Sequence, residues 1–370
     1  MNKQTNTQTT QGTWGGDTLV STQLDRKGAI TRIYATARVT PSATFTGANQ
    51  PDSLFRVMKA LVISGGSHQY FTLPSRDTCG GGILLRYLNH KDGFGSGHPL
   101  GGITAPKVTY TPVTFVLHAG TRPQASLVPG GPVVDNPYDL TAFIPAISEA
   151  SVTADWSTAG NDVMDDTVTI SSAVFVYSLC QVLADEQELL GEMLRQGVMG
   201  VLPPGAKAMI PAWAQEVYLH QAASSDYSTT RDLPPGGYLS RVVLLEQDAT
   251  GTRALRASDE VTGVSITDTK RDVTLYKASA DIQQAHWNPV SNLVADDGAD
   301  IGNAAPDGVI VVDVRPNMDL PHLCEYGMNM TGVGTGELRL GLTITEYASG
   351  DHSMILYERR LAVGADRRIP

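Results

Sequence analysis

Cysteine is scarce: Cys79, Cys180 and Cys324 are the only three in 370 residues. They are too few and too far apart for a disulfide framework or a zinc finger. An odd number leaves at least one thiol free, which suits a chain made and kept in a reducing cytoplasm. Aromatic residues are only 6% and charged residues 18% of the chain. Cations are the scarcer sign, 27 Lys and Arg against 38 Asp and Glu, giving a formal charge of -11. That balance predicts no specific nucleic-acid binding, because phosphate recognition needs clustered cations. No run approaches the roughly 18 apolar residues of a membrane span. Met1 to Gln11 is rich in Asn, Gln and Thr and has no apolar stretch of the kind a secretory signal carries. It reads as part of a flexible arm over residues 1–13.

What is abundant is the chemistry of strands and turns. Hydrophobic residues reach 41%, too many for a disordered chain. Gly (37) and Pro (21) together exceed their average share, and Thr is frequent. This mixture predicts many short strands joined by turns. The length allows two domains.

The chain also repeats itself, and repeats decide the fold before any single element does. With a displacement of 209 positions, Asp17 meets Asp226, Leu24 meets Leu233, Gly28 meets Gly237 and Arg32 meets Arg241. Each segment reads as a polar strand, a turn ending in Gly, then an apolar strand. Gly28 and Gly237 are expected to supply the positive φ such a turn needs. Later elements recur in the same order. Strands are predicted at 54–63 and 261–266, at 69–73 and 273–276, and at 113–117 and 309–314. Helices are predicted at 82–89 and 280–287. Asp139-Leu140 and Asp319-Leu320 then align at a displacement of 180. The halves are expected to close with strands at 168–177 and 338–347. In the first repeat, alternation predicts Ile30, Arg32, Tyr34 and Thr36 on one face, and Thr31, Ile33, Ala35 and Ala37 on the other.

Each half therefore holds about eight strand candidates. Two packed four-stranded sheets bury one face of each strand, and a jelly roll hides most of the edges. The predicted fold is all-β: two tandem eight-stranded jelly-roll sandwiches, short helices in each, and a linker helix between them. Leu179, Val182, Leu183, Leu189, Leu190, Met193 and Leu194 share helical spacing, with Asp185, Glu186 and Glu188 on other faces. Gly197, Gly200 and Pro203-Pro204-Gly205 end that helix. It reads as a helix packed across the two sandwiches, with a partner-binding helix as the alternative. The predicted organisation is an arm at 1–13, a first roll at 14–182, a linker at 183–215, a second roll at 216–350 and a C-terminal tail at 351–370.

No motif predicts catalysis. There is no G-x-S-x-G, no H-E-x-x-H and no P-loop; Gly80-Gly81-Gly82 lacks a following Lys-Ser or Lys-Thr and reads as a flexible approach to a helix starting near Ile83. No catalytic residue, cofactor or bound metal is predicted. His322 and Cys324 stand close together without a second pair at metal spacing. His90, His98 and His118 are expected to be solvated loop histidines. Asp296, Asp297 and Asp300, with Asp307 beyond, gather hard oxygen ligands and form a Ca²⁺ candidate, set against a plain acidic loop. Asp162, Asp165 and Asp166 invite the same comparison. Asn329-Met330-Thr331 matches a glycosylation sequon in a strand context. The stretches 91–111, 119–137 and 288–307 are long enough to suggest surface display or recognition.

These parts resemble the double jelly-roll major capsid proteins of the tectivirus and adenovirus lineage. The resemblance covers about Trp14 to Tyr347. It rests on the Leu-x-x-x-Gly turn and apolar strand of each half (Leu24 to Ile33, Leu233 to Val242), on a helix followed by a large loop in each half, and on Tyr138 to Pro145 leading to Asp155-Trp156. It implies a homotrimer of pseudo-hexagonal outline that tiles an icosahedral virion shell, as in bacteriophages and other viruses, made in the host cytoplasm. It implies neighbouring capsomers and minor capsid or vertex proteins as partners, and contact with an internal membrane through an N- or C-terminal tail. The sequence departs from that pattern in one respect. The arm is neither basic nor amphipathic, so only the tail, with Arg359, Arg360, Arg367 and Arg368, is left to touch lipid headgroups or nucleic acid, with a solvated tail or one that swaps onto a neighbour as the alternative. The alternative reading is a carbohydrate-binding, lectin-like tandem sandwich; against it, Trp14, Trp156, Trp213 and Trp287 are dispersed. A tandem cupin enzyme would need His-x-His, which does not occur.

Overall fold

Alternating apolar and polar residues form strands over most of the described residues, and two stretches among them form the longer helices. A computed structural model describes residues 2–10, 20–24, 28–41, 56–73, 80–91, 111–121, 124–126, 133–145, 151–156, 170–221, 227–252, 261–279, 282, 308–315, 326–345 and 349–364. The first half contains β1 (Asn2–Thr10), β2 (Val20–Gln23), β3 (Ala29–Pro41), β4 (Met58–Gly65), β5 (His68–Leu73), α1 (Gly80–Lys91), β6 (Thr111–His118), β7 (Gln124–Ser126), β8 (Val133–Asp135), β9 (Ile144–Pro145), β10 (Ser151–Trp156) and β11 (Ile170–Leu183). Helix α2 (Glu186–Arg195) follows. The second half contains β12 (Ala206–Pro211), β13 (Trp213–Leu219), β14 (Tyr227–Asp232), β15 (Tyr238–Gln247), β16 (Val261–Asp268), β17 (Val273–Ser279), β18 (Val309–Asp313), β19 (Met328–Asn329), β20 (Leu338–Ile344) and β21 (His352–Gly364).

The two halves share one topology. In the first, β1-β11-β3-β6 faces β5-β4-β10-β2 across a core that includes Ile33, Ala35, Leu61, Ile63, Phe115 and Leu117. In the second, β13-β21-β15-β18 faces β17-β16-β20-β14 across Val242, Leu244, Val264, Ile266, Leu340 and Ile355. Each half is an eight-stranded jelly roll, as the repeat predicts. Even the small strands correspond: β9 pairs with the start of β3, and β19 with the start of β15. The rolls are joined by parallel pairing of β5 with β13, which makes one ten-stranded sheet through the molecule.

The repeat extends to backbone detail. Gly28 and Gly237 both have φ of 71°. A Cβ at Gly28 would lie 2.1 Å from the Val182 carbonyl oxygen, and one at Gly237 2.3 Å from that of Arg360. Only glycine combines this φ with so close an approach. Three residues later each strand carries a bulge. Thr31 is the extra residue between Ile30 (opposite Gln181) and Arg32 (opposite Cys180). Ser240 is the extra residue between Leu239 (opposite Arg359) and Arg241 (opposite Glu358). A bulge shifts the period of two by one residue. Ile30 therefore joins the same core as Ile33, Ala35 and Ala37, which simple alternation had placed on the opposite face.

Several boundaries differ from expectation. Residues 2–10 of the expected arm form β1, which pairs with β11 along its whole length. Leu179, Val182 and Leu183 belong to β11, not to the linker helix. Leu179 enters the first roll's core while Val182 joins the cluster beneath α2, the opposite face of a strand. The helix proper is Glu186–Arg195, capped by Asp185, whose carboxylate accepts from the Glu188 amide. It packs Leu189 and Met193 against Leu140, Phe143 and Ala208, as a linker helix should. Gly80 to Gly82 are the first turn of α1: a Cβ at Gly80 would collide with the Met354 side chain, so glycine lets the helix sit close to the second roll.

The closing strand of the second roll is β21, not 338–347. β20 is the counterpart of β10, and the expected tail from 351 onward is largely a central strand of a sheet. The cause of the misreading is Glu358-Arg359-Arg360, a charged triplet inside the strand; Glu358 and Arg360 are buried and paired with one another. The expected helix at 280–287 lies outside the described residues except for Ile282. The stretches between 91 and 111 and at 288–307 also lie outside them, whereas 119–137 holds the β7–β8 hairpin.

Candidate functional site at the junction of the rolls

The repeat places a buried arginine at the same point of each roll, and both act on the charge of His118 at the junction. Arg32 on β3 donates from Nε to His118 Nδ1 at 3.0 Å and from Nη1 to the Tyr34 hydroxyl at 2.8 Å. Its counterpart Arg241 on β15 grips Glu358 with two hydrogen bonds, Nε to Oε2 and Nη2 to Oε1, the latter at 3.0 Å. Arg360 adds a third bond to Glu358 Oε1, at 3.0 Å. The same Arg360 reaches across to the first roll, donating to the carbonyl oxygens of Ala119 at 2.6 Å and Gly120 at 2.8 Å. Its guanidinium stands 5.7 Å from the ring centroid of Trp213. Arg315 is held by Asp313 nearby.

The electrostatics follow from burial. Removal from water would by itself raise the Glu358 pKa. Arg241, Arg360 and the hydrogen bond from Arg241 outweigh that and hold the carboxyl at about 2. His118 is driven the other way. Burial first, then the neighbouring Arg32 and Arg241, push its pKa well below the ordinary histidine range. A neutral imidazole accepting from Arg32 at Nδ1 carries its proton on Nε2. The histidine expected in a solvated loop is thus a buried acceptor at the end of β6, because that strand runs to the junction.

A second set of bonds fastens the segment from Tyr138 to Pro145 to the rest of the chain. The Tyr326 hydroxyl, from the second half, donates to the Thr141 carbonyl at 2.8 Å. The Phe143 amide donates to the Met209 carbonyl at 3.1 Å. Gln196, just after α2, accepts from the Leu140 amide and donates to the Tyr138 carbonyl, both at 3.0 Å. Equivalent hydroxyls serve the two bulges. Thr31 donates to the Pro137 carbonyl at 2.6 Å and Ser240 to the Tyr326 carbonyl at 3.0 Å.

One pair has the composition of a nucleophile and its base. His220 Nε2 lies 2.6 Å from Ser353 Oγ. Both are buried, Ser353 completely, and burial lowers the His220 pKa to about 4 against the opposing field of Asp351. A nucleophile must be reachable by substrate. Here Ser353 on β21 and His220, just after β13, are both closed from solvent.

Among the described residues no group of three or more His, Cys, Asp or Glu is arranged to hold a metal. Asp296, Asp297 and Asp300 lie outside the described residues, as do Asp162, Asp165, Asp166, His322, Cys79, Cys324, His98, Arg367 and Arg368. Cys180 is buried and forms no disulfide. Asn329 of the sequon uses its side-chain oxygen to accept from the Thr331 amide in a tight turn. Arg359 and Arg360, expected in a tail, are both tied into the fold: Arg359 donates to the Pro235 carbonyl at 2.8 Å. Sequence reasoning missed Glu358 and Arg360 as junction residues. The available signal was Arg32 and Arg241, an aligned pair of charges inside apolar strands.

No protein-family model matches the chain, and no curated protein matches its sequence. Solved structures match it over nearly its full length. The STIV MCP is 15% identical with a TM-score of 0.67, over 98% of each chain. The major capsid protein P2 of bacteriophage PM2 is 9% identical with a TM-score of 0.53, over 99% of this chain and 100% of that one. VP54 of PBCV-1 is 11% identical with a TM-score of 0.55, over 100% of this chain and 98% of that one. The shared property is the double jelly-roll fold.

Proposed function

We propose that this chain is a major capsid protein that assembles as trimers of pseudo-hexagonal outline into an icosahedral virion shell. The observation that carries the reading is the duplication itself. Two rolls of one topology, matched down to glycine, bulge and buried arginine, are locked side by side through a polar junction closed to water. Such a chain is a rigid building block whose residues at the junction serve shape. Three copies present six similar units about a threefold axis, which tile a curved surface with few interface types. The full-length likeness to capsid proteins of several viruses supports the same reading. Neighbouring capsomers and minor capsid or vertex proteins are its proposed partners, and the virion its proposed place, after synthesis in the host cytoplasm. Membrane contact through a tail would fall to residues beyond Gly364, because Arg359 and Arg360 are engaged within the fold. The carbohydrate-binding alternative has no support in the comparisons.

The test is the native mass of the purified protein, followed by imaging of assembled material. The expected species is a trimer of 39.4 kDa chains, with shells or hexagonally packed sheets at higher concentration. A stable monomer at micromolar concentration that forms no ordered assembly would remove the reading.

A further inference from the structure

The junction inside the chain is a template for a junction between chains. Strand β5 is the outermost strand of its sheet in the first roll, and it is covered by parallel pairing with β13, Phe71 opposite Trp213 and Thr72 opposite Ala214. The counterpart of β5 in the second roll is β17. Each pairs antiparallel with the preceding strand, and each carries a bulge, at Tyr70 in β5 and at Leu275 in β17. Aligning the bulges makes Tyr276 the counterpart of Phe71 and Lys277 that of Thr72. Among the described residues β17 pairs only with β16. Val273 and Leu275 on it are each 46% exposed. An open edge with exposed aliphatic side chains is a template for another strand.

The counterpart of β13 is β1. Each lies beside the closing strand of its roll: Ala214 opposite Tyr357 on β21, Asn6 opposite Leu179 on β11. Tyr357 and Leu179 each enter the core of their own roll, so the registers correspond. This makes Thr5 the counterpart of Trp213, and Asn6 that of Ala214. Among the described residues β1 pairs only with β11, so its outer edge is the equivalent of the edge that β5 covers on β13.

We propose that β17 of one copy adds in parallel to the outer edge of β1 of a second copy, with Tyr276 beside Thr5 and Lys277 beside Asn6. The pairing repeats between chains what β5 and β13 do within one, and it rests on the trimeric reading above. Each chain offers one edge of each kind, so the contact is head to tail and closes into a ring when successive steps are alike. Intrachain and interchain steps then alternate around six rolls, and three chains complete the circle.

The test pairs Asn6→Cys with Lys277→Cys in the full chain. Neighbouring strands stand about 4.8 Å apart, within the reach of a disulfide. Native mass is measured first, then mild oxidation and a denaturing, non-reducing gel. The expected products are covalent dimer and trimer and nothing larger, reversed by reductant and absent from either single variant. A native trimer that stays uncrosslinked overturns the strand pairing and leaves the trimer standing. Dimer alone, or a ladder beyond three, overturns the head-to-tail closure. A monomer removes both. If the double variant fails to fold, amide exchange on the unaltered protein decides. Peptides covering 2–10 and 273–279 should exchange about 100-fold more slowly in the trimer than in dissociated chains, and unchanged exchange overturns the pairing.

Discussion

Glu358 and Cys180 occupy equivalent places, each opposite the repeated arginine of its roll. The physics at the two has diverged. In the second roll Arg241 faces a carboxylate that two guanidiniums share. In the first, Arg32 turns to the neutral ring of His118 and the tyrosine beside it. Removing one partner of a buried ion pair strands the other charge, at a cost of about 3–5 kcal/mol. Glu358→Gln is therefore expected to destabilise the fold by that amount at pH 7, while Cys180→Ala costs about 1 kcal/mol. Chemical denaturation of both variants checks the contrast. The sign with pH is fixed by Glu358 titrating at about 2 in the fold, below the ordinary 4.5. Its contribution is complete above 4.5 and is lost as pH falls toward 2, so the gap between wild type and Glu358→Gln should narrow from pH 4.5 downward. Equal costs at the two positions would mean that the arginines are solvated. The arginine pair was legible in the sequence, because the 209-residue repeat aligns it. The partners were not. Glu358 comes to Arg241 from a strand 117 residues away, and no local pattern announces that meeting.

Strands with one wet face were the easiest elements to read. β20 alternates buried and open positions along Leu338–Ile344 and was found. Strands buried on both faces gave a weaker outline. β15 is buried at all ten positions, because Val242 and Leu244 line the second core while Val243 and Leu245 line the first. β21 does the same with Met354 and Leu356 on one side and Ile355 and Tyr357 on the other. Its charged triplet then disguised it as a tail, because a buried ion pair and an exposed charge run look alike in sequence. β21 pairs with β12, β13 and β15. A chain ending at Gly350 would lose all of that pairing and four buried side chains from two cores. Such a chain is expected to lack a cooperative thermal transition and to be degraded rapidly by protease. A protease-resistant, cooperatively folding fragment 1–350 would return this stretch to the status of a tail.

At the scale of the whole molecule, the two rolls share one core cluster. The outer face of the second roll's sheet is apolar: Val243, Leu245, Val309, Val311, Met354 and Leu356 join the first roll's core cluster, with α1 packed against β15. The residues at the same positions of the first roll are Tyr34, Thr36, Thr114, Val116, Val176 and Ser178, a more polar and half-buried set. Burying an aliphatic side chain contributes about 1.5–3 kcal/mol. Six together come to roughly 9–18 kcal/mol, at least comparable with the whole stability of a typical domain. The rolls are therefore expected to melt together, although each has its own core. Calorimetry should show one transition, with the calorimetric and van't Hoff enthalpies agreeing for the entire chain. Arg360→Ala removes the bonds to Ala119 and Gly120 and leaves the Arg241–Glu358 pair in place. It should lower the midpoint of that single transition without splitting it, because the apolar face still couples the rolls. Two separated transitions in the unaltered chain would show that the junction is a contact between independent domains. The rigid double unit on which the proposed pseudo-hexagonal packing depends would then have to be built by assembly instead of by folding.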